Sequence, residues 1–279
     1  MLYPPQLRAV WDLTTPGTTP KAIGLTRGGG RKTVDPRELA LGISGQYAII
    51  GGPVEPRATW EGYVTRDTLA LLLLALRTSY TVPALTSLKV TSGTDATNWL
   101  LSAAVLAKAT IKMVQAKPVE ATLEFMGLDD VTTAAALSAV ALGGDVITWA
   151  GGVITIGGAA YKIEDATITI DNNVSFLYDL DAKASNAKRM PSGLLIDQEA
   201  IGYETTCREV MTWDPTDDTI VSNFASIVAL SDGTKTLTAT FANLSHEGSP
   251  GPDFITQGVV KYGYRWIGPP GCLTMVVAP

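Results

Sequence analysis

The chain has 279 residues and a formal charge of −6, with 46% hydrophobic and 17% charged residues. That composition supplies apolar side chains for one large core or two smaller ones and excludes a wholly disordered chain. The acidic balance, with a sequence pI near 4.9, repels a phosphate backbone over most of the surface and argues against tight binding of nucleic acid.

Residues 1 to about 57 are rich in Pro, Gly and Thr, and they are predicted to form an arm and a long loop. The run Arg27-Gly28-Gly29-Gly30-Arg31-Lys32 contains three consecutive glycines, whose ordering costs conformational entropy. We therefore expect this run to be mobile in the isolated subunit and to be ordered by a partner. A flexible connector without a partner is the alternative, and it is favoured for a glycine run taken alone. The chain is accordingly divided into an arm, 1–57, and a second domain, 58–279.

A strand followed by a leucine-rich helix is predicted next. Ala58 to Val64 has the composition of a strand, and Thr65 suits the N-cap of a helix that runs to about Ser79. The leucines of this segment point to every face of the helix: Leu69, Leu71, Leu72, Leu73, Leu74 and Leu76. A single sheet cannot bury all faces of one helix, and each leucine left in water forfeits about 2 kcal/mol. We infer a second covering surface, from a loop or another subunit.

A hairpin is the clearest strand signal. From Val119 to Phe125 apolar residues alternate strictly with Glu120, Thr122 and Glu124. Lys108 to Met113 alternates in the same way, with lysines on the polar side. The two segments are predicted to pair so that lysines face glutamates across the strands, each pair contributing a few tenths of a kcal/mol.

Short strands separated by glycine pairs predict an all-β meander after the hairpin. The strands are 146–149, 153–156, 159–163 and 166–170, and the turns are Gly143-Gly144, Gly151-Gly152 and Gly157-Gly158. Two segments depart from this pattern. An alanine-rich helix is predicted over 131–142, and a second helix is considered over 219–229.

The last third of the chain is predicted to hold a long polar loop and further strands. The loop spans about 179–192 and contains Lys183, Lys188 and Arg189. Strands are predicted over 207–213, 236–241, 259–266 and 272–277. The alternating aromatic residues Tyr262, Tyr264 and Trp266 are interpreted as core rather than as a ligand platform.

No catalytic, metal or cofactor site is predicted. The loop ending in Arg31-Lys32-Thr33 resembles a phosphate-binding loop but has arginine where the motif needs glycine before the lysine. Adjacent acidic residues such as Asp217-Asp218 are read as turns and caps, because neighbours along a strand point to opposite faces. The segment Asp214 to Asp218 lacks the glycine and glutamate of an EF-hand calcium loop.

The cysteines, the histidine and the N-terminus give further expectations. Cys207 and Cys272 are far apart and are expected to be two buried thiols. The single histidine, His246, is expected on a surface loop. The first 13 residues show no secretory signal, so we expect a protein made in the cytoplasm. The longest apolar run, Leu69 to Leu76, is far below the ~20 residues of a membrane span.

The order of these features is similar to that of a known family. A Gly/Pro-rich start, Trp60-Glu61-Gly62-Tyr63-Val64 before the leucines, the strand that ends in Met126-Gly127, and Ile168-Thr169-Ile170-Asp171-Asn172-Asn173 before a long loop carry the likeness. Together they resemble the major tail tube protein of long-tailed (siphovirus-type) bacteriophages, from about Trp60 to Val277.

The resemblance implies a mainly β fold, a sandwich or partial barrel of antiparallel strands flanked by one α-helix, with a long N-terminal arm. It also implies a virion protein without enzymatic activity or cofactors. Such subunits form hexameric rings that stack into a hollow tube through which viral DNA passes without specific binding. Their partners are further copies and the terminator, tape measure and distal tail proteins.

The resemblance turns three residue patterns into candidate sites. Glu120 and Glu124 are candidates for the lumen, where they would repel DNA, although Lys108 and Lys112 would partly neutralise them if they share that face. An outer, solvated face is the alternative. Arg27 to Lys32 and the loop with Lys183, Lys188 and Arg189 are candidates for ring stacking, and the leucine-rich helix is a candidate for a ring interface.

Two further functional hypotheses stay open. A β-rich virion protein of the tail tip or baseplate that binds or degrades polysaccharide would need convergent carboxylates, with Asp217 and Asp218 as the residues to test. An adaptor ring that uses a similar fold would form cyclic rings that never stack.

Overall fold

The structure, a computed structural model, describes residues 8–11, 22–28, 31–33, 51–65, 85–91, 98–133, 146–161, 163–178, 190–197, 199–207, 224–231, 236–247, 252–254 and 260–278. Within those ranges every regular element is a β-strand. The segment predicted as a leucine-rich helix lies outside the described residues, and so do Gly29, Gly30, Lys183, Lys188 and Arg189.

Twenty strands follow one another along the described chain. They are β1 (Arg8–Trp11), β2 (Ala22–Gly28), β3 (Arg31–Thr33), β4 (Gly51–Val54), β5 (Arg57–Tyr63), β6 (Leu85–Thr91), β7 (Asn98–Val114), β8 (Glu120–Met126), β9 (Asp129–Thr133), β10 (Thr148–Ile156), β11 (Ala159–Ala160), β12 (Ile163–Asp171), β13 (Val174–Leu177), β14 (Gly193–Ile196), β15 (Ala200–Cys207), β16 (Phe224–Ser231), β17 (Thr236–His246), β18 (Pro252–Phe254), β19 (Val260–Gly268) and β20 (Leu273–Ala278).

Sixteen of these strands belong to one antiparallel network with three parts. The long sheet has the order β2-β5-β8-β7-β12-β15-β19, and β18 pairs with β19. The short sheet has the order β11-β10-β16-β17, and β20 pairs with β17. β1, β6 and β9 form a branch on the first half of β7. β3-β4 and β13-β14 are separate two-stranded sheets.

The long and short sheets pack against each other and enclose the core. Phe241 of the short sheet stacks on Tyr203 of the long sheet with ring centroids 4.7 Å apart. Tyr203 in turn stacks on Trp266 at 5.4 Å, and Trp266 on Tyr264 at 5.7 Å. All four rings are at most 2% exposed. The predicted sandwich of antiparallel strands is therefore confirmed, and the aromatic residues of β19 belong to the core as expected.

Two long strands serve two sheets each, and a left-handed residue marks the change in both. β7 pairs with β6 and β9 in its first part and with β8 and β12 afterwards, and Ala103 between them has φ 47°. β17 pairs with β16 and β20 and then with β19, and Asn243 before that change has φ 59°. Asn243 lies at the register shift between β16 and β17, where a residue that tolerates positive φ accommodates the bulge.

Three backbone hydrogen bonds connect the residues next to β5 and β8 of the long sheet with the residue before β10 of the short sheet. The amide of Val64 donates to the carbonyl of Val119, Val119 donates to Ile147, and Ile147 donates back to Val64, at 2.8, 3.0 and 2.9 Å. All three residues are buried. Thr65, predicted as a helix cap, forms a bridge with Val146 at the same place. The start of β10 is thereby held against β5 and β8.

The predicted hairpin is confirmed in detail. β7 and β8 pair so that Lys108 lies opposite Glu124 and Lys112 opposite Glu120. The burial of β8 alternates as the sequence pattern indicates, with Ala121 and Leu123 buried and both glutamates exposed.

Several expectations are wrong in the described residues. Phe224–Ser231 is a strand where a helix over 219–229 was considered, and Val131 to Thr133 of the helix predicted over 131–142 belong to β9. Gly151-Gly152 lies inside β10 at a register shift, because the extra residues are absorbed as a bulge. Residues 1–57, predicted as an arm and a long loop, contain the described strands β1 to β4, of which β2 extends the long sheet through β5, and the division of the chain at residue 57 stays a prediction. The turn at Gly157-Gly158 is confirmed, with φ 58° and 83°.

Candidate functional site

The outer side of the long sheet is a continuous polar surface, which we call the polar face. Alternate residues of β5, β7, β8, β12, β15 and β19 are buried in the core, so the residues between them face away from it. The polar face consists of Arg57, Thr59, Glu61, Tyr63, Lys108, Thr110, Lys112, Val114, Glu120, Thr122, Glu124, Asp165, Thr167, Thr169, Asp171, Ala200, Gly202, Glu204, Thr206, Gly263, Arg265 and Ile267. It carries six carboxylates and four cations.

The register of the strands arranges these charges in rows that run across the sheet. One row alternates in sign, with Glu120 opposite Lys112, and continues through Thr167 to Glu204 and Arg265. A second row joins Glu124, Lys108 and Asp171. Threonines Thr122, Thr110 and Thr169 form the row between them. Opposite charges therefore lie side by side while like charges are separated by hydroxyl groups.

Glu120 and Glu124, predicted from the sequence to share one polar surface, do share one in the structure. Both glutamates are exposed on the polar face. Lys108 and Lys112 share that face and stand directly opposite them. The partial neutralisation that was considered from the sequence is therefore present, and the face is only mildly acidic.

Arg265 is held by two carboxylates at the end of the first row. Its Nε lies 3.2 Å from Oε1 of Glu204 and 3.1 Å from Oε2 of Glu247. All three side chains are about half exposed, so each contact contributes little to stability. Lys261, on the same strand, makes an ion pair with Glu164. These contacts occupy cations that would otherwise face solvent.

The Asp171-Asn172-Asn173 sequence forms the turn at which β12 ends. Oδ1 of Asp171 accepts a hydrogen bond from the amide of Asn173 at 2.9 Å, and Asn173 has φ 46°. Asn172 is fully buried, and its Nδ2 donates to the carbonyl of Leu106 at 2.9 Å. The three positions of the motif therefore need, in order, a side chain that accepts a hydrogen bond, a buried side chain that donates one, and a residue that tolerates a positive φ.

The strands β13 and β14 form a two-stranded ribbon that leads to the long loop and back. Their pairing runs from Val174 opposite Ile196 to Leu177 opposite Gly193. Oη of Tyr178 donates to the carbonyl of Val54 at 2.9 Å. The Arg57 guanidinium lies 5.3 Å from the ring centroid of Phe176. Burial raises the pKa of Tyr178, and the nearby Glu55 carboxylate adds to this effect. The ribbon was not predicted from the sequence, although the mainly apolar segment Val174 to Leu177 is typical of a short strand.

Sequence comparison decides the family. The sequence model of the phage tail tube protein family matches residues 9–195, about two thirds of the chain. The chain belongs to this family. The match includes the hairpin of β7 and β8, the turn after β12 and both strands of the ribbon up to Leu195. No curated protein matches the chain significantly.

A cleft separates the ribbon of this tail tube protein from the polar face. Its volume is about 580 Å³. Its charged lining consists of Arg57, Lys108, Glu124, Asp171 and Asp197. Three carboxylates facing two cations balance most of the local charge, so the cleft suits close contact with a polar surface. Asp217 and Asp218, the residues that a polysaccharide-degrading function would have to use, lie outside the described residues.

The two cysteines of the tail tube protein are buried, and its histidine is half-buried. Cys207 and Cys272 are buried thiols, as predicted. Burial raises the pKa of Cys272 to about 12, and the Glu199 carboxylate adds to this effect. His246 is in β17 rather than on a loop, half-buried, with its ring 5.8 Å from that of Trp266. His246 was not predicted in a strand because the alternation of apolar residues ends at Phe241, whereas β17 continues to His246 and pairs there with β19.

The described ranges lack two further kinds of functional feature. In those ranges, no group of three or more His, Cys, Asp or Glu residues is placed to hold a metal ion. None of the elements described is a helix with the length and hydropathy of a membrane span.

Proposed function

We propose that this tail tube protein is a non-enzymatic structural subunit of a long-tailed, siphovirus-type phage, in which six copies form a ring and the rings stack into a hollow conduit for genome delivery. Support comes from the family match over 9–195 together with a sheet that has one wide polar face opposite its core. The protein is made and assembled in the host cytoplasm and becomes part of the virion tail.

The polar face is the surface that lines the bore. It carries more carboxylates than cations, and Arg265 already contacts two carboxylates. Lys108 and Lys112 have Glu124 and Glu120 opposite them. DNA binding strengthens when unpaired lysine and arginine release counterions from phosphate. A face whose cations already have carboxylate neighbours lets DNA slide past without binding it specifically.

Contacts between copies involve three candidate segments. Arg27 to Lys32 and the loop with Lys183, Lys188 and Arg189 contact the adjacent ring, since basic residues complement an acidic subunit. The leucine-rich segment from Leu69 to Leu76 contributes to the interface within a ring. At its ends the tube meets the terminator and distal tail proteins, and the tape measure protein occupies its interior.

Electron microscopy of the purified protein tests the assembly. We expect rings with six-fold symmetry and a central hole, and tubes at higher protein concentration. A protein that stays strictly monomeric under these conditions contradicts the proposal, and rings that never stack favour an adaptor role.

A matched pair of charge variants tests the bore. Glu120→Gln with Glu124→Gln removes two negative charges from the polar face, whereas Gln115→Lys with Ser192→Lys adds two positive charges at exposed positions outside it, so that both variants change the net charge by the same amount. We expect assembled tubes of the first variant to retain DNA at low salt more than wild type and to release it as salt increases. Equal retention by the two variants would show that the polar face does not line the bore.

A further inference from the structure

The outer side of the short sheet differs from the polar face, because none of its side chains that the structure describes is charged. In β10, β16, β17 and β20 the buried positions alternate with outward ones. Val153, Ile227 and Val276 are outward and 51%, 42% and 60% exposed. Up to Ala242 of β17, the other outward positions whose side chains are described are threonine or alanine, and the exposed Asn243 follows at the bulge. We call this surface the uncharged face.

The register makes the uncharged face continuous across four strands. Val153 lies opposite Ala229, which lies opposite Thr238, and Thr238 lies opposite Val276. The next row contains Ile227 in the same way. A solvated face of an antiparallel sheet normally carries polar and charged residues, whereas contiguous exposed apolar groups indicate an interaction site.

The edge of the same sheet gives a second, independent indication. Within the described residues β20 pairs with β17 alone, through six consecutive pairs without a bulge. Its sequence from Leu273 to Ala278 contains neither a charged residue nor a proline. Proteins normally protect edge strands with lysine, proline or bulges, because an unprotected edge pairs with another chain. β20 has none of these protections.

We propose that the uncharged face and the edge strand β20 together contact a second copy of this chain within the ring. This inference rests on the proposed function, since it assigns a surface to that assembly. A ring needs a heterologous contact, in which this surface meets a different surface of the next copy. An uncharged face suits that role in an acidic chain, because it brings no net repulsion into the contact.

The size of the surface agrees with a ring contact. Four strands about 4.8 Å apart and about six residues long cover roughly 400 Å² of flat area. A standard interface takes about 800 Å² from each partner. The uncharged face therefore supplies about half of such an interface, and main-chain pairing along β20 extends it.

Thiol labelling tests the contact directly, because Cys207 and Cys272 are buried. Ile227→Cys introduces a thiol on the uncharged face, and Ile267→Cys introduces one on the polar face at a residue of similar exposure, 42% against 46%. Unassembled and assembled fractions are separated by size and treated with a maleimide. We expect both variants to react in the unassembled fraction, and Ile227→Cys alone to react at least about ten times more slowly once assembled.

The outcomes separate this inference from the proposed function. Absence of rings in the wild-type protein overturns both. Rings in which the two variants react with equal slowing overturn only the assignment of the uncharged face. Protection of Ile227→Cys in the unassembled fraction also overturns it, because the face is then covered by its own chain.

Charge variants provide a second measurement. Ile227→Lys and Val276→Lys place a charge at exposed positions of the uncharged face, and Ile267→Lys is the control on the polar face. We expect the first two to keep the circular dichroism spectrum and melting temperature of wild type while losing rings. Rings formed by all three variants contradict the inference.

Discussion

At the turn between β19 and β20, close contacts decide which residues are tolerated. A Cβ atom at Gly268 would lie 2.2 Å from Sγ of Cys272. Gly271 has φ 74°, and its amide donates to Oε2 of the buried Glu199 at 3.0 Å. The two glycines are therefore required for different reasons, one for space and one for backbone conformation.

Gly268→Ala is expected to destabilise the protein by about 1–3 kcal/mol, because the new methyl group overpacks a buried site. Gly263→Ala is the matched control on the same strand, since a Cβ there meets nothing within 4 Å. Thermal unfolding should show a melting temperature several degrees lower for Gly268→Ala and unchanged for the control. Equal melting temperatures would contradict the close approach.

The single histidine gives a clean pH measurement. Burial disfavours the imidazolium form and lowers the pKa of His246 from 6.5. As the pH falls, the histidine of the unfolded chain takes up a proton before that of the folded chain. The contribution of His246 to the free energy of unfolding is therefore fully present above pH 6.5 and is lost as the pH falls toward the lower pKa of the folded state. Urea unfolding between about pH 7.5 and 5 should show a larger loss for wild type than for His246→Gln. An imidazole NMR signal that titrates above 6.5 would contradict this.

At the scale of elements, alternation of residue type was sufficient where one side of a strand faces solvent. β7 and β8 were predicted with their partners and their charge pairs because lysine and glutamate alternate with apolar residues. β16 was taken for a helix because both of its faces are apolar or small. Its outward Ile227 and inward Val228 cannot be distinguished by hydropathy, and only the pairing with β10 and β17 shows the period of two.

The charge pairs of the hairpin can be measured by reversal. Glu120→Lys places two lysines opposite each other and is expected to cost about 0.2–1 kcal/mol in the free energy of unfolding. Adding Lys112→Glu should restore most of this loss by recreating the pair in reverse. Urea midpoints at low salt measure both effects. The differences between the variants should shrink in 1 M salt, because the Debye screening length is then only roughly 3 Å. Additive losses in the double variant would show that the side chains do not interact.

At the scale of the whole molecule, the two sheets have outer faces of different chemistry. One carries rows of charge and the other has none among its described side chains. An isolated globular domain has no reason to separate its surface in this way, whereas a subunit in a ring has one side toward the bore and others toward its neighbours. The separation is the strongest structural support for assembly.

Ring stacking can be tested apart from ring formation. Lys188→Glu reverses a charge in the loop proposed to contact the adjacent ring, and Lys117→Glu does so in the exposed turn between β7 and β8. We expect Lys188→Glu to leave rings intact while shortening or abolishing tubes, and Lys117→Glu to form normal tubes. Tube lengths in electron micrographs give the comparison, and equal lengths would argue against this role for the loop.

The β class, the hairpin, the buried cysteines and the likeness to tail tube proteins could be predicted from the sequence, because alternation and local motifs need only neighbouring residues. The three-dimensional structure was needed to show which strands share a sheet, that β2 joins the long sheet, that β16 is a strand, and that Lys108 and Lys112 lie on the polar face and partly neutralise it. Those features depend on pairing between residues far apart in the chain, where register rather than composition determines which side chains meet.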